Sequence, residues 1–211
     1  MDVFDLEAIH DRMDQVLPAH LFAKAGIDLA LHDLMGKLLG VPVHRLLGGR
    51  FRDRIPLSGG PIGLLGSPEA AAERAARLVA EGFRTVKLKI GAPDGRDEDT
   101  VRAVREAIGP SIELRLDANQ AFTADRAVPL LRRLERYDPV LIEQPVPAWD
   151  LDGLAKVAAA LDVAVMADEA AGFSMSVLRW IQSCSAALTW FQPCFPAPEG
   201  SGEFRSASGP P

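Results

Sequence analysis

Cysteine is scarce in this 211-residue chain: Cys184 and Cys194 are the only two. Two thiols cannot build a disulfide scaffold, and with no third metal ligand nearby they read as free thiols. No apolar run reaches the ~18–20 residues that a membrane span needs. The start, Met1-Asp2-Val3-Phe4-Asp5, lacks the basic segment and apolar stretch of a secretory signal. Dense lysine or arginine blocks are also missing. With 29 acidic and 23 basic side chains the formal net charge is −6, which argues against nucleic acid or an anionic membrane as a partner. No Gly-x-Gly-x-x-Gly or phosphate-loop pattern opens a helix, so a nucleotide-binding doubly wound fold has no support. Ser58-Gly59-Gly60-Pro61-Ile62-Gly63 reads better as a flexible loop than as a phosphate cradle. The expectation is a soluble cytoplasmic protein, and 48% hydrophobic with 25% charged residues is the usage of a globular domain.

Charge is unevenly spread. Residues 1–170 hold 27 of the acids and 21 of the bases, whereas 171–211 hold two of each. That last segment carries both cysteines, five prolines and seven serines. From about Pro193 it has little propensity for helix or strand. The expected organisation is a helical segment over 1–50, an alternating β/α region over 51–170, and an aberrant or disordered tail over 171–211.

Helical spacing covers residues 19–39, with Gly40 as a stop. Beyond a Leu46–Gly49 turn, a short strand is expected over Arg54–Ser58. Ser67-Pro68-Glu69 opens a helix with a cap and a first-turn proline. Strands are expected over Phe83–Ile90, Ile112–Leu116, Val140–Ile142 and Val163–Met166. Helices are expected over Asp97–Ile108, from Thr123 to about Arg136, and over Asp150–Leu161. Strands separated by helices of this length indicate βαβ units and a parallel sheet. The fold class is α/β, a (β/α) barrel of the TIM type. A whole barrel has eight strands in about 250 residues, so five strands make this a partial one.

In such barrels the working residues lie at the carboxyl ends of the strands. Those ends carry Lys87 and Lys89, then Asp117, Glu143 and Asp168. The carboxylates are 26 and 25 residues apart, one βα unit each time. The bland alternative, that each caps the following helix or turn, weakens when all three fall in register. Three clustered carboxylates repel without a cation, and oxygen ligands suit a hard dication, Mg²⁺ first and Mn²⁺ second. Lys87 and Lys89, two apart on a strand, share a face, while Val86, Leu88 and Ile90 supply the apolar face. A neighbouring like charge, burial and a nearby metal each lower a lysine's pKa toward what a general base needs. Arg132-Arg133-Leu134-Glu135-Arg136 reads as a solvated helix face, and His10, His20, His32 and His44 as surface or helix-packing residues.

Lys87-Leu88-Lys89, Leu116-Asp117-Ala118-Asn119-Gln120, Ile142-Glu143-Gln144-Pro145 and Ala167-Asp168-Glu169, four motifs at one-unit spacing, together resemble the enolase superfamily in its mandelate racemase/muconate lactonizing enzyme branch. Ala25–Leu34 followed by Leu46-Leu47-Gly48-Gly49 resembles the junction between that family's α+β capping domain and its barrel. The resemblance covers roughly residues 20–170. It implies that Asp117, Glu143 and Asp168 hold Mg²⁺. It implies that Lys89 removes the proton α to a substrate carboxylate and that Lys87 assists electrostatically. Asn119, Gln144 and Glu169 would contact substrate or support the ligands. The implied activity is that of a racemase, epimerase or cycloisomerase. The substrate would be a small carboxylate: an amino acid derivative, a dipeptide, a hydroxy acid or a muconate-like acid. A dehydratase of the mandelate racemase type and a non-catalytic fragment are the alternatives.

Two departures from the pattern stand out. Only the last helical part of the capping domain is expected, in residues 1–47. After Lys156 no lysine follows, so the sixth-strand lysine of the lactonizing subgroup is missing, and Leu188–Gln192 offers no acid or base. The racemase subgroup's histidine–aspartate dyad is absent as well. These departures lead to the expectation of a truncated chain with impaired activity, and of a homo-oligomer if it folds.

Overall fold

In a computed structural model of the chain, residues 2–63 and 66–172 are described. The tail expected from residue 171 lies, from Phe173 onward, outside the described residues, as do Cys184 and Cys194. Two compact units divide between Leu57 and Ser58. Among the described residues no helix is long and apolar enough to cross a membrane.

The first unit is helical: α1 (Leu6–Val16), α2 (Leu21–Leu39) and α3 (Val43–Leu46). The first of these precedes the helix expected over 19–39, within the segment expected to be helical. Gly40 ends α2 in the left-handed region, φ 67°, and its N–H donates to the carbonyls of Gly36 and Lys37. Lys24 on α2 pairs with Asp14 on α1. His10 Nε2 lies 2.8 Å from Asp28 Oδ1, and His32 Nδ1 lies 2.9 Å from the Asp28 carbonyl.

The second unit alternates strictly. Its elements are β1 (Gly59–Ile62), α4 (Pro68–Ala80), β2 (Thr85–Lys89), α5 (Asp97–Ile108), β3 (Glu113–Asp117), α6 (Ala124–Leu134), β4 (Pro139–Glu143), α7 (Leu151–Ala160) and β5 (Ala164–Met166). Short 3₁₀ turns follow α6 and β5, the second spanning Glu169–Gly172. All pairings are parallel and the strand order is β1-β2-β3-β4-β5. Consecutive strands pair in sequence order, as successive βαβ units of a barrel wall do.

Local chemistry accounts for the helix starts. Ser67 caps α4, its hydroxyl accepting from the Ala70 N–H at 3.3 Å, with Pro68 at the first position. Asp150 caps α7 through Gly153 N–H at 2.9 Å. Thr123 precedes α6 but makes no side-chain cap bond. The apolar stripes fall at helical spacing: Ala71, Ala75 and Leu78; Val101, Val104 and Ile108; Ala127, Leu131 and Leu134; Leu151, Leu154 and Val157. They cover the strand face formed by Val86, Leu88, Leu114, Leu116 and Ile142, all fully buried. Each such aliphatic side chain contributes roughly 1.5–3 kcal/mol by burial. That face commits the alternate residues Lys87 and Lys89 to the other side of the sheet.

One strand differs from the expectation. The segment Arg54–Ser58 is irregular, and β1 begins at Gly59, inside the stretch read as a loop. Close approach explains the composition. A Cβ on Gly59 would stand 3.0 Å from the Phe83 ring, and one on Gly60 would stand 2.6 Å from the Lys87 carbonyl oxygen. Only glycine lets β1 lie this close to β2 and α4.

Candidate active site

The register fixes what meets at the mouth. Lys89 pairs with Asp117, and Asp117 with Glu143, across three adjacent strands. All three lie at strand carboxyl ends, where the backbone turns away. Those turns use rare backbone geometry: Asn119, Gln120 and Gln144 have φ of 40°, 69° and 37°. Positive φ in non-glycine residues is costly and persists only where surrounding contacts enforce it. Here they do. Asn119 N–H donates to Asp117 Oδ1 at 3.0 Å, Gln120 N–H to the Gln144 carbonyl at 2.8 Å, and Gln144 N–H to the Met166 carbonyl at 2.9 Å.

The lysines and two of the carboxylates form one network. Lys87 Nζ donates to Glu143 Oε1 at 2.8 Å and also lies 2.7 Å from Oε2 and 2.9 Å from Asp117 Oδ2. Lys89 Nζ donates to Asp117 Oδ2 at 2.6 Å and to Asn119 Oδ1. Asn119 Nδ2 donates to Glu169 Oε1 at 3.1 Å. Asp117 and Glu143 are buried, at 1% and 5% exposure, while Asp168 is exposed on the segment after β5.

Charge tells which way the balance tips. Burial pushes the Glu143 carboxyl up, and the negative charge of Asp117 and Asp168 adds to that rise, against the pull of Lys87; the net result is a raised pKa. For Asp117 burial also pushes upward, but hydrogen bonds from Lys89, Lys87 and the Asn119 N–H win and hold it below the usual carboxylate range. Burial would depress Lys87, yet its bonds to Glu143 and Asp117 outweigh this and raise it. Two carboxylate neighbours stabilise its proton more than desolvation destabilises it.

Gln144 belongs to the support rather than to the open mouth. It has no exposed surface. Its Oε1 accepts from Asp168 N–H at 2.8 Å and Ala170 N–H at 3.0 Å, and its Nε2 donates to the Val146 carbonyl at 2.9 Å. It therefore fixes the segment that carries Asp168 and Glu169. A similar brace was not foreseen on the β2 side, where buried Asp97 accepts from the N–H groups of Gly91 and Ala92 at 2.8 and 3.2 Å. Its position at the first turn of α5 was the one available sequence signal.

The cluster suits a hard cation. Its donors are carboxylate oxygens, the ligand type that hard dications take. Of the three expected ligands, Asp117 and Glu143 are in register, and Asp168 acts on Glu143 through its charge. Among the described residues no three His, Cys, Asp or Glu side chains stand at metal-ligand spacing. Lys87 bridges the two buried carboxylates, and Asp168 is exposed.

Comparison with known proteins gives the lineage. The family model for the enolase C-terminal domain-like region matches residues 70–207. The model for the mandelate racemase/muconate lactonizing enzyme N-terminal domain matches residues 1–48. A hydrophobic dipeptide epimerase of Enterococcus faecalis is 38% identical over 182 residues, covering 86% of this chain and 51% of that protein. Muconate cycloisomerase 1 of Acinetobacter baylyi is 40% identical over 152 residues, 70% of this chain and 40% of its own length. The crystal structure of the E. faecalis dipeptide epimerase complexed with Mg and the dipeptide L-Leu-L-Tyr superposes with a TM-score of 0.79 at 38% identity. It covers 86% of this chain and 51% of that one. Other curated relatives include a racemase and dehydratases. The chain spans about half the length of the curated relatives it matches. With both domain models matched in order, and the five-stranded parallel sheet aligned to solved relatives, the chain belongs to the mandelate racemase/muconate lactonizing enzyme family of the enolase superfamily.

Proposed function

We propose that this protein removes the proton α to the carboxylate of a small substrate, in an epimerisation, racemisation or cycloisomerisation. The observation that carries this reading is the paired amines of Lys87 and Lys89 held against Asp117 and Glu143 at register-matched strand ends. An α-proton of a carboxylate is very weakly acidic, so abstraction needs both a placed base and a fixed positive environment for the charge that develops.

Lys89 is the base: its Nζ takes the proton. Lys87, whose proton is retained by its bonds to Glu143 and Asp117, supplies a fixed positive charge beside the carboxylate of the substrate. Asp117, Glu143 and Asp168 would hold Mg²⁺, with Mn²⁺ as the substitute. When bound, such an ion supplies Lewis-acid stabilisation of negative charge on the substrate carboxylate. Gln144, by fastening the backbone at Asp168 and Ala170, keeps the third carboxylate at the mouth.

Relatives that act on dipeptides favour an amino-acid-derived substrate. The test is solvent deuterium exchange into L-Leu-L-Tyr and related dipeptides, followed by mass spectrometry in the presence of Mg²⁺. Incorporation at the α-carbon that disappears in Lys89→Ala is the expected result. Incorporation that survives this substitution contradicts the assignment of Lys89.

A further inference from the structure

Three side chains at the mouth are joined in series, and the chemistry of the two end groups sets the direction of the series. An ammonium can only donate, so the Asn119 amide turns its oxygen toward Lys89. The amide nitrogen must then face the other way, where it donates to Glu169 Oε1 at 3.1 Å. A carboxylate can only accept, so Glu169 selects this amide orientation and opposes its reverse. In the reverse orientation, an NH₂ would confront the ammonium and an amide oxygen would confront the carboxylate.

The backbone around both residues is fixed independently. Asn119 is held at φ 40° with its N–H on Asp117 Oδ1 at 3.0 Å. Glu169 opens the 3₁₀ turn whose Ala170 N–H is tied to fully buried Gln144 at 3.0 Å. Glu169 Oε2 is buried and has no hydrogen-bond partner among the described residues. The bond to Asn119 is therefore the one described hydrogen bond of the Glu169 side chain, and a bond to an ionised group is stronger than one between neutral groups. The series spans from the β5 end, across the β3 turn, to β2.

We propose that Glu169 and Asn119 form a strut of fixed hydrogen-bond polarity that aims the Lys89 amine, which makes both of them positioning residues for the proton transfer. The inference rests on the reading of Lys89 as the base, but the strut itself has a test that needs no substrate. Reductive methylation with formaldehyde, mapped by mass spectrometry, reports the freedom of each lysine amine. Lys156, paired with Asp125 at 2.6 Å on exposed surface, serves as the reference. Glu169→Leu and Asn119→Ala, which leave no acceptor or no bridge, are each expected to raise the Lys89 rate about fivefold, the factor that one hydrogen bond controls, with Lys87 and Lys156 unchanged. The double substitution Asn119→Asp with Glu169→Gln restores a chain in which Lys89 and the Gln side-chain NH₂ both donate to one carboxylate. Its Lys89 rate is expected to return to the wild-type value.

That rescue separates polarity from bulk and from folding, because a merely structural contact would not be repaired by exchanging donor and acceptor. An unchanged Lys89 rate in both single variants overturns the proposal, and so does a double variant whose Lys89 reacts as fast as in the single ones. If a single variant unfolds, all lysines react together and the double variant decides. Loss of the base reading would appear elsewhere, as deuterium exchange that persists in Lys89→Ala.

Discussion

At the amino ends of the strands, Arg105 commits its guanidinium to backbone. It donates to the carbonyls of Tyr137, Gly109, Ile112 and Asp138 at 2.8, 2.7, 2.8 and 3.0 Å. Glu135 Oε1 does the converse, accepting from the N–H groups of Asp162 and Val163 at 2.6 and 3.1 Å. At the carboxyl ends, lysines meet carboxylates and one amide instead. Both ends contain charged side chains taken partly out of water, and burial lowers the Arg105 pKa as it raises that of Glu143. The difference lies in the partners. Backbone groups cannot leave, so charges that bind them lock loops together. Side-chain partners can be exchanged for a ligand, so charges that bind each other are available for chemistry.

This contrast can be broken or sharpened in four ways, beginning with the largest effect. Lys89→Ala should lower α-proton exchange by roughly a thousandfold, within the range a positioned base contributes, while thermal unfolding stays close to wild type. Next, Leu131→Ala, in the fully buried stripe of α6, should cost about 2–5 kcal/mol in urea unfolding. This measures the scaffold common to both ends. Arg105→Met should cost about 2–3 kcal/mol, since four backbone carbonyls lose a charged donor, with Mg²⁺ binding unchanged. A loss of metal binding in that variant would mean that the two ends are not separable.

The smallest effect concerns pH, and its sign differs between the two buried carboxylates. Asp117, held low, adds stability above its unfolded pKa, and that contribution disappears as the pH falls through its folded value. Glu143, pushed up, detracts from stability once the pH rises past its unfolded pKa, because folding opposes its ionisation. In the absence of metal, Asp117→Asn should therefore lower the unfolding temperature slightly at neutral pH. Glu143→Gln should lower it less or raise it, and the gap between the two variants should close in acid.

The chemistry-bearing strands were legible because their patterns are redundant. Lys87-Leu88-Lys89 alternates, Leu88, Leu116 and Ile142 fill one layer, and the carboxylates recur one unit apart, so period, register and motif agree. The strand β1 was not legible. Gly59 and Gly60 have low strand propensity and are demanded by close approach to Phe83 and Lys87, a fact of packing. The positive φ of Gln144 was equally hidden, since glutamine, unlike the asparagine at 119, has no preference for it. The clamps made by Gln144 and Arg105 join atoms from separate loops and exist only once the sheet has formed. The partners of Lys87 were hidden for a related reason. Sequence placed a second lysine beside it, but the structure adds two carboxylates in direct contact.

The most direct test of the central claim is calorimetric titration with Mg²⁺. Saturable binding in the sub-millimolar to millimolar range is expected for the wild type, lost in Asp117→Asn and kept in Arg105→Met. A wild-type protein that gives no binding heat, or an Asp117→Asn variant that binds as well as wild type, would contradict it.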